Sequence, residues 1–262
     1  MEGSLTIKRE IQRYRQEHFS AMEDEIVVEF PLTIMINGEE FATMVCSPYH
    51  LEELVIGFLA SEGVIRFRKD IKDMKIDASQ GFAHIQLHQE KIISQQTFSK
   101  RFIGSCCGKS RQFYFQNDVR TAKTSTSKTK LTAQQCINLM TTMQEESTVF
   151  KQTGGVHNAA LCTSEDLIVS RTDIGRHNAL DKLFGYSLLN QIPIRDKVLV
   201  FSGRISSEIL TKAAKIGVGI VLSKSAPTDL AIQLANDLNI TAVGFIRNGS
   251  FNVYSHPERI IE

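Results

Sequence analysis

Lys197-Val198-Leu199-Val200-Phe201-Ser202-Gly203-Arg204 opens the stretch whose reading decides the fold. An apolar, β-branched run gives way to a small polar turn, as a buried strand does at its end. Beyond it the spacing predicts a helix over 206–216, a second strand over 218–222, a helix over 227–238 and a third strand over 240–246. Strands alternating with helices on short links imply a parallel sheet with right-handed crossovers. Asn248-Gly249 then predicts a hairpin into an edge strand at Phe251-Asn252-Val253-Tyr254.

Ligands of such sheets sit beyond the carboxyl ends of the parallel strands. Those ends carry Ser202-Gly203-Arg204, Ser223-Lys224-Ser225 and Arg247-Asn248-Gly249. Each turn offers a cation and small hydrogen-bonding residues, and three turns of one chemistry suit a phosphate-rich ligand. Neither a Gly-x-x-x-x-Gly-Lys-Ser/Thr loop nor a Gly-x-Gly-x-x-Gly after a strand is present, which excludes the P-loop and the dinucleotide fingerprint.

Working back along the chain, Asp173-Ile174-Gly175-Arg176-His177-Asn178 lies between a short strand at 167–169 and a helix marked by Leu180, Leu183, Phe184, Leu188 and Leu189. A helix start carries unpaired N–H groups and partial positive charge. Arg176 and His177 there read as an anion or cofactor site; a capping Asp173 beside an exposed Arg-His pair is the alternative. Gly154-Gly155-Val156-His157-Asn158 reads as a tight turn entering a buried element. Its His157 is open to three roles: acid/base, anion donor or satisfied core residue. Thr132 caps a predicted helix to about Glu146, with Cys136 on its core face. Residues 121–130 are small, polar and aperiodic, and read as a mobile loop.

Arg101-Phe102-Ile103-Gly104-Ser105-Cys106-Cys107-Gly108-Lys109-Ser110-Arg111 sets two adjacent thiols among glycines and three cations. Lys and Arg favour the reactive thiolate, and glycine lets a partner approach. Neighbouring Cα atoms lie ~3.8 Å apart, closer than the ~4.4–6.8 Å of a disulfide. Zinc sites ask for wider spacing. Cys106 and Cys107 are therefore read as nucleophilic or sulfur-carrying.

The N-terminal part reads as a polar lead-in over 1–24, strands at 26–30 and 32–36 broken by Pro31, an Asn37-Gly38 hairpin and a return strand at 41–46. A helix follows from Ser47-Pro48 to about Gly63, then strands at 71–76 and 82–87. This predicts a small mixed sheet on one helix, with His84 and His88 on a solvated face.

Composition sets outer bounds. The 262 residues are 42% hydrophobic and 23% charged, an ordinary globular balance. A net charge of +1 gives no general attraction to nucleic acid or membrane. Five scattered cysteines argue for a reducing compartment, and the polar N-terminus has no signal-like apolar run, so a cytoplasmic protein without a membrane span is expected.

Together the segments Gly104-Ser-Cys-Cys-Gly-Lys109, Gly154-Gly-Val-His-Asn158, Asp173-Ile-Gly-Arg-His-Asn-Ala-Leu-Asp-Lys182, Ser202-Gly-Arg204, Lys224-Ser-Ala-Pro-Thr228 and Gly244-Phe-Ile-Arg-Asn-Gly249 resemble the FdhD/NarQ family of formate dehydrogenase accessory sulfurtransferases. The resemblance implies an α/β fold: a small α+β N-terminal domain over 1–100 and a cytidine-deaminase-like three-layer domain over 101–262, paired as a homodimer. It also implies that sulfur from a cysteine desulfurase is carried as a cysteine persulfide to Mo-bis(molybdopterin guanine dinucleotide), the cofactor bound for formate dehydrogenase. Phe245, Ile246, Arg247, Asn248, Gly249 and Ser250 would bind that cofactor, joined by Ser202, Gly203, Arg204, Lys224, Arg176 and His177. No metal site is expected. Where the family loop is often Cys-Gly-x-Cys-Gly, Cys106 and Cys107 have lost their spacer. Cys107, followed by Gly108, fits the carrier position, and Cys106 stays open. Two rivals belong to other classes. One is a cofactor chaperone without sulfur chemistry. The other is a zinc deaminase, which would need His-x-Glu and Pro-Cys-x-x-Cys where this chain has His157-Asn158-Ala159 and no Cys-x-x-Cys.

Overall fold

The computed structural model describes residues 4–88 and 122–262, together with the backbone of Arg101–Ile103. Its centre is a six-stranded sheet built from β9 (His157–Cys162), β10 (Leu167–Asp173), β11 (Val198–Phe201), β12 (Ile220–Ser223), β13 (Thr241–Arg247) and β14 (Ser250–Val253). The order is β10-β9-β11-β12-β13-β14. Strands β11, β12 and β13 run parallel, as the alternation predicts, while β9, β10 and β14 run against their neighbours. Asn248 and Gly249 take φ of 51° and 72°, the left-handed pair a two-residue hairpin needs.

Helices cover both faces of this sheet. Helix α2 (Ala133–Glu146) packs Cys136, Leu139, Met140 and Met143 on one face, against Val198, Val200, Ile220 and Leu222. Its start is capped as expected: Gln135 N–H donates to the Thr132 hydroxyl, and the Thr132 N–H donates to the Gln135 side chain. The other face carries α4 (Arg176–Leu189), α5 (Ser207–Ile216) and α6 (Asp229–Asp237).

A second sheet lies on the far side of α4. Its strands β3 (Phe30–Ile36), β4 (Glu39–Cys46), β5 (Ile71–Asp77), β6 (Phe82–Leu87) and β7 (Arg101–Ile103) stand in the order β5-β6-β3-β4-β7. It is the mixed sheet on one helix that the sequence predicts. Pro31 sits inside β3 and does not divide it. Helix α1 (Leu51–Ser61) fills the space between this sheet and α4. The two helices cross on glycines: a Cβ on Gly57 would overlap the Asp181 carbonyl, and one on Gly185 would overlap that of Glu53. Arg171 forks onto both carboxylate oxygens of Glu53 across the same boundary.

Two expectations need correction. Residues 1–24 are not a plain lead-in: β1 (Thr6–Arg15) and β2 (His18–Val27) form an antiparallel ribbon turned by Gln16 and Glu17, both with positive φ. Residues 122–130 do not form a free loop. Ser125 and Ser127 are buried, Ser125 N–H donates to Leu238 O, and Arg259 and Asn239 hold the segment's carbonyls. Its small side chains fit against Gly219, where a larger residue would clash. Short strands β8 (Leu131–Thr132) and β15 (Ile260–Ile261) then pair in parallel. Among the described residues no helix is long and apolar enough to cross a membrane.

Candidate functional site

Strand direction gathers the predicted residues on one rim. Asp173 at the end of β10 pairs with His157 at the start of β9, and Ala159 pairs with Phe201 at the end of β11. Phe201 in turn pairs with Ser223 at the end of β12. The turns after β10, β11 and β12, the start of β9 and the end of β13 therefore share one edge. Sequence spacing could not join His157 to His177; the antiparallel β9–β10 pair does.

Within the Asp173–Lys182 segment the structure separates two roles. Asp173 is fully buried, 2.6 Å from Lys182 Nζ, and accepts from Ser47 N–H, Gly175 N–H and the Asn178 amide. Asn178 also donates to Val45 O. Asp181 accepts from Ser61 and contacts Lys212. A buried ion pair is stable only when its other hydrogen-bonding positions are filled, and here they bind the helix start to the N-terminal sheet. Asp173 is thus not a simple cap. Arg176 and His177 remain at the rim.

His177 Nε2 lies 2.8 Å from Glu208 Oε2, on the first turn of α5. Nothing in the sequence pairs these two residues, so Glu208 was not anticipated. Burial holds His177 below the ordinary imidazole range despite the raising effect of Glu208; Lys212 and Arg176 push the same way as burial. His157 is also lowered, by burial first and then by Arg176 and His177, against Asp173. Both imidazoles are therefore biased to the neutral form beside a permanent guanidinium. Arg176 Nε is buried with no hydrogen-bond partner among the described residues. A donor in that state suits an incoming anion.

The turns themselves are stitched. Ser202 Oγ accepts from Asn158 N–H, Ser223 Oγ donates to Gly203 O, and Ser225 Oγ donates to Ser202 O. The Ser223 and Ser225 protons are spent in joining the turns, whereas Ser202 Oγ only accepts and keeps its own proton to donate. At Gly203 a Cβ would come within 2.9 Å of the Phe201 ring, so only glycine fits. Arg204, Lys224 and Arg247 are exposed and form no ion pair with a described residue. Phe245 takes φ 56°, a conformation a bulky residue rarely adopts, at a bulge in the β13–β14 pairing. The Arg247 guanidinium stands 5.2 Å over its ring. Ile246 is buried in the core, while Asn248, Gly249 and Ser250 are exposed at the hairpin.

Cys106, Cys107, Lys109 and Arg111, with the Arg101 side chain, lie outside the described residues. The three described cysteines are buried: burial pushes the Cys136 and Cys162 thiols up to about 12, and Cys46 higher still. None of these three is a thiolate near neutral pH. No group of three His, Cys, Asp or Glu among the described residues is placed to hold a metal ion.

Comparison with known proteins gives one answer. The family model of the FdhD/NarQ family matches residues 27–261. The chain is 62% identical over 262 residues to the sulfur carrier protein FdhD of Bacillus subtilis, covering all of both chains. It is likewise 62% identical to that of Staphylococcus aureus strain MRSA252, covering 100% of this chain and 99% of the relative. A crystal structure assigned to a formate dehydrogenase accessory protein from Desulfotalea psychrophila superposes with a TM-score of 0.82 at 24% identity, over 98% of this chain and 100% of that one. That likeness extends the fold to a distant sequence. On the near full-length match and these relatives, the chain belongs to the FdhD/NarQ family.

Proposed function

We propose that this chain is a sulfur carrier and sulfurtransferase serving formate dehydrogenase. Its C-terminal domain, cytidine-deaminase-like, seats Mo-bis(molybdopterin guanine dinucleotide) as a substrate along the rim; the smaller N-terminal domain extends past the expected boundary at residue 100, since β7 (Arg101–Ile103) completes its sheet. The carrying observation is the gathering of Arg176, Arg204, Lys224 and Arg247 on one edge with two neutral imidazoles. Pyrophosphate groups need such fixed cations, and a heterocycle can use the imidazoles and the Phe245 ring. The names of the relatives supply the sulfur.

Cys107 is the carrier thiol and Cys106 its alternate. The thiolate attacks the outer sulfur of a cysteine desulfurase persulfide. A new S–S bond forms, the desulfurase S–S bond breaks, and the desulfurase leaves as a thiolate. On delivery the carrier's S–S bond breaks, its electron pair returns to the Cys107 thiolate, and the sulfur is reduced to sulfide by two electrons from the metal of the substrate. Strand β7 ends at Ile103 beside Met44, and β4 leads directly to Ser47, which bonds Asp173 at the rim. The protein acts in the cytoplasm as a pair of copies.

Mass spectrometry after incubation with a cysteine desulfurase and cysteine tests the reading. The parent and Cys106→Ala gain one sulfur atom, and Cys107→Ala does not. The reverse pattern moves the carrier to Cys106. Loading of a protein lacking both thiols removes the sulfur-carrier reading.

A further inference from the structure

The rim has two unlike ends. At one, α3 (Thr148–Thr153) gives way to β9, and His157 at the start of that strand lies near Arg176 and His177. At the other the β13–β14 hairpin closes the sheet, with β14 as its edge strand. Arg247 faces Ser250 across that hairpin, and farther in Gly244 faces Asn252. Tyr254 N–H donates to Ala242 O, which carries the extended pairing one residue past β14. Asn252 and Tyr254, two residues apart, therefore share one face. The Asn252 amide donates to the Tyr254 hydroxyl at 3.2 Å.

Gly244 makes room for this pair. A Cβ there would come within 2.9 Å of Ser225 O and 3.1 Å of both the Pro227 and the Tyr254 rings. The Tyr254 ring thus lies over β13, toward the turn that follows β12. Tyr254 is half-buried and Asn252 exposed. With one amide proton spent on the hydroxyl, Asn252 Oδ1 still accepts and the Tyr254 O–H still donates. An uncharged acceptor and donor beside an aromatic ring suit the edge of a heterocycle, whereas the cations at the neighbouring turns suit phosphate. Asn252 lies two residues, about 7 Å, in from the Arg247–Ser250 pair. A ribose bridges such a gap between a phosphate and its base. We propose that Asn252 and Tyr254 seat the guanine base, Asn252 Oδ1 accepting from its N1–H and 2-amino group and the Tyr254 hydroxyl donating to its O6. This specifies the base end of the site proposed above and rests on that reading.

Calorimetry on the full chain tests it with guanosine diphosphate, inosine diphosphate and inorganic pyrophosphate as probes. Inosine diphosphate lacks only the 2-amino group, and the parent binds it about fivefold more weakly than guanosine diphosphate, the worth of one hydrogen bond. Asn252→Ala and Tyr254→Phe each weaken guanosine diphosphate binding about fivefold and leave pyrophosphate binding unchanged. Asn252→Ala also binds the two nucleotides alike. Losses that fall equally on pyrophosphate put the pair among the phosphate contacts and overturn the proposal. Variants that bind guanosine diphosphate as the parent does, or a parent indifferent to the 2-amino group, overturn it too and leave the phosphate-binding rim standing. A parent that binds none of the three probes overturns the reading of the rim, and the inference with it.

Discussion

His177 shows how burial, more than a contact, sets the charge of a rim imidazole. Burial disfavours its imidazolium, and Glu208 at 2.8 Å only partly offsets that. The sign for stability follows from the lowered values of His157 and His177. Below the ordinary 6.5 the unfolded chain takes up protons before the folded one. Stability present above that value is therefore lost as pH falls through the folded midpoints. A bound diphosphate favours the charged rings, so its affinity rises over the same interval. Titration of the imidazole protons by NMR checks the cause. In Glu208→Gln the His177 midpoint falls further, because a raising carboxylate has gone; an unchanged or higher midpoint would deny the pairing in solution. The sequence marked His177, since it sits at a helix start beside Arg176. It could not mark Glu208, whose approach depends on two helices leaving β10 and β11, the strands on either side of β9. Nor could it show that the Ser223 and Ser225 hydroxyls donate to neighbouring turns and so are consumed in joining them.

Among the elements, α1 and α4 depend on closeness more than on side-chain bulk. Gly57 and Gly185 let the two backbones touch, and the obstructing atoms are main-chain carbonyls that cannot rotate away. Gly57→Ala and Gly185→Ala each gain helix propensity of about 1 kcal/mol. Parting the helices costs more, because Asp181, Lys212, Ser61 and the Arg171–Glu53 pair are anchored at the same seam. Each substitution is expected to destabilise by about 2 kcal/mol or more, read by urea unfolding; a stabilised variant would show that the crossing is looser than described. Periodicity made α1, α2 and α4 legible, and Asn37-Gly38 and Asn248-Gly249 marked two hairpins by chemistry. The ribbon was hidden for two reasons. Gln16-Glu17 is not a usual left-handed turn pair, and charges on both faces blur the alternation that reveals a strand. Residues 122–130 misled in the opposite way: small polar residues suggest freedom, whereas here they are small because Gly219 lies beneath them.

Taken whole, the molecule is nearly neutral at +1, yet its chemistry is concentrated on one edge. The topology places Arg204, Lys224 and Arg247 at the ends of three adjacent strands, exposed and without ion pairs among the described residues. Surface charges of this kind contribute little to folding. Their separate removal should leave urea unfolding within about 0.5 kcal/mol of the parent. Binding is different, since a diphosphate held between turns draws on several of them at once. Arg204→Ala, Lys224→Ala and Arg247→Ala are each expected to weaken guanosine diphosphate binding about fivefold, near 1 kcal/mol for an exposed charged contact. The triple variant should approach the product of the three losses, because the sites lie on different turns. Added salt should erode the parent's affinity and hardly alter the triple variant's, with the screening length near 8 Å at physiological ionic strength. Lys128→Ala serves as the control. It stands on the segment anchored to Leu238 ahead of β13, at the opposite edge of the sheet, and carries an equal charge. Equal losses in Lys128→Ala and the rim variants, measured by calorimetry, would mean that overall charge and not this edge attracts the ligand.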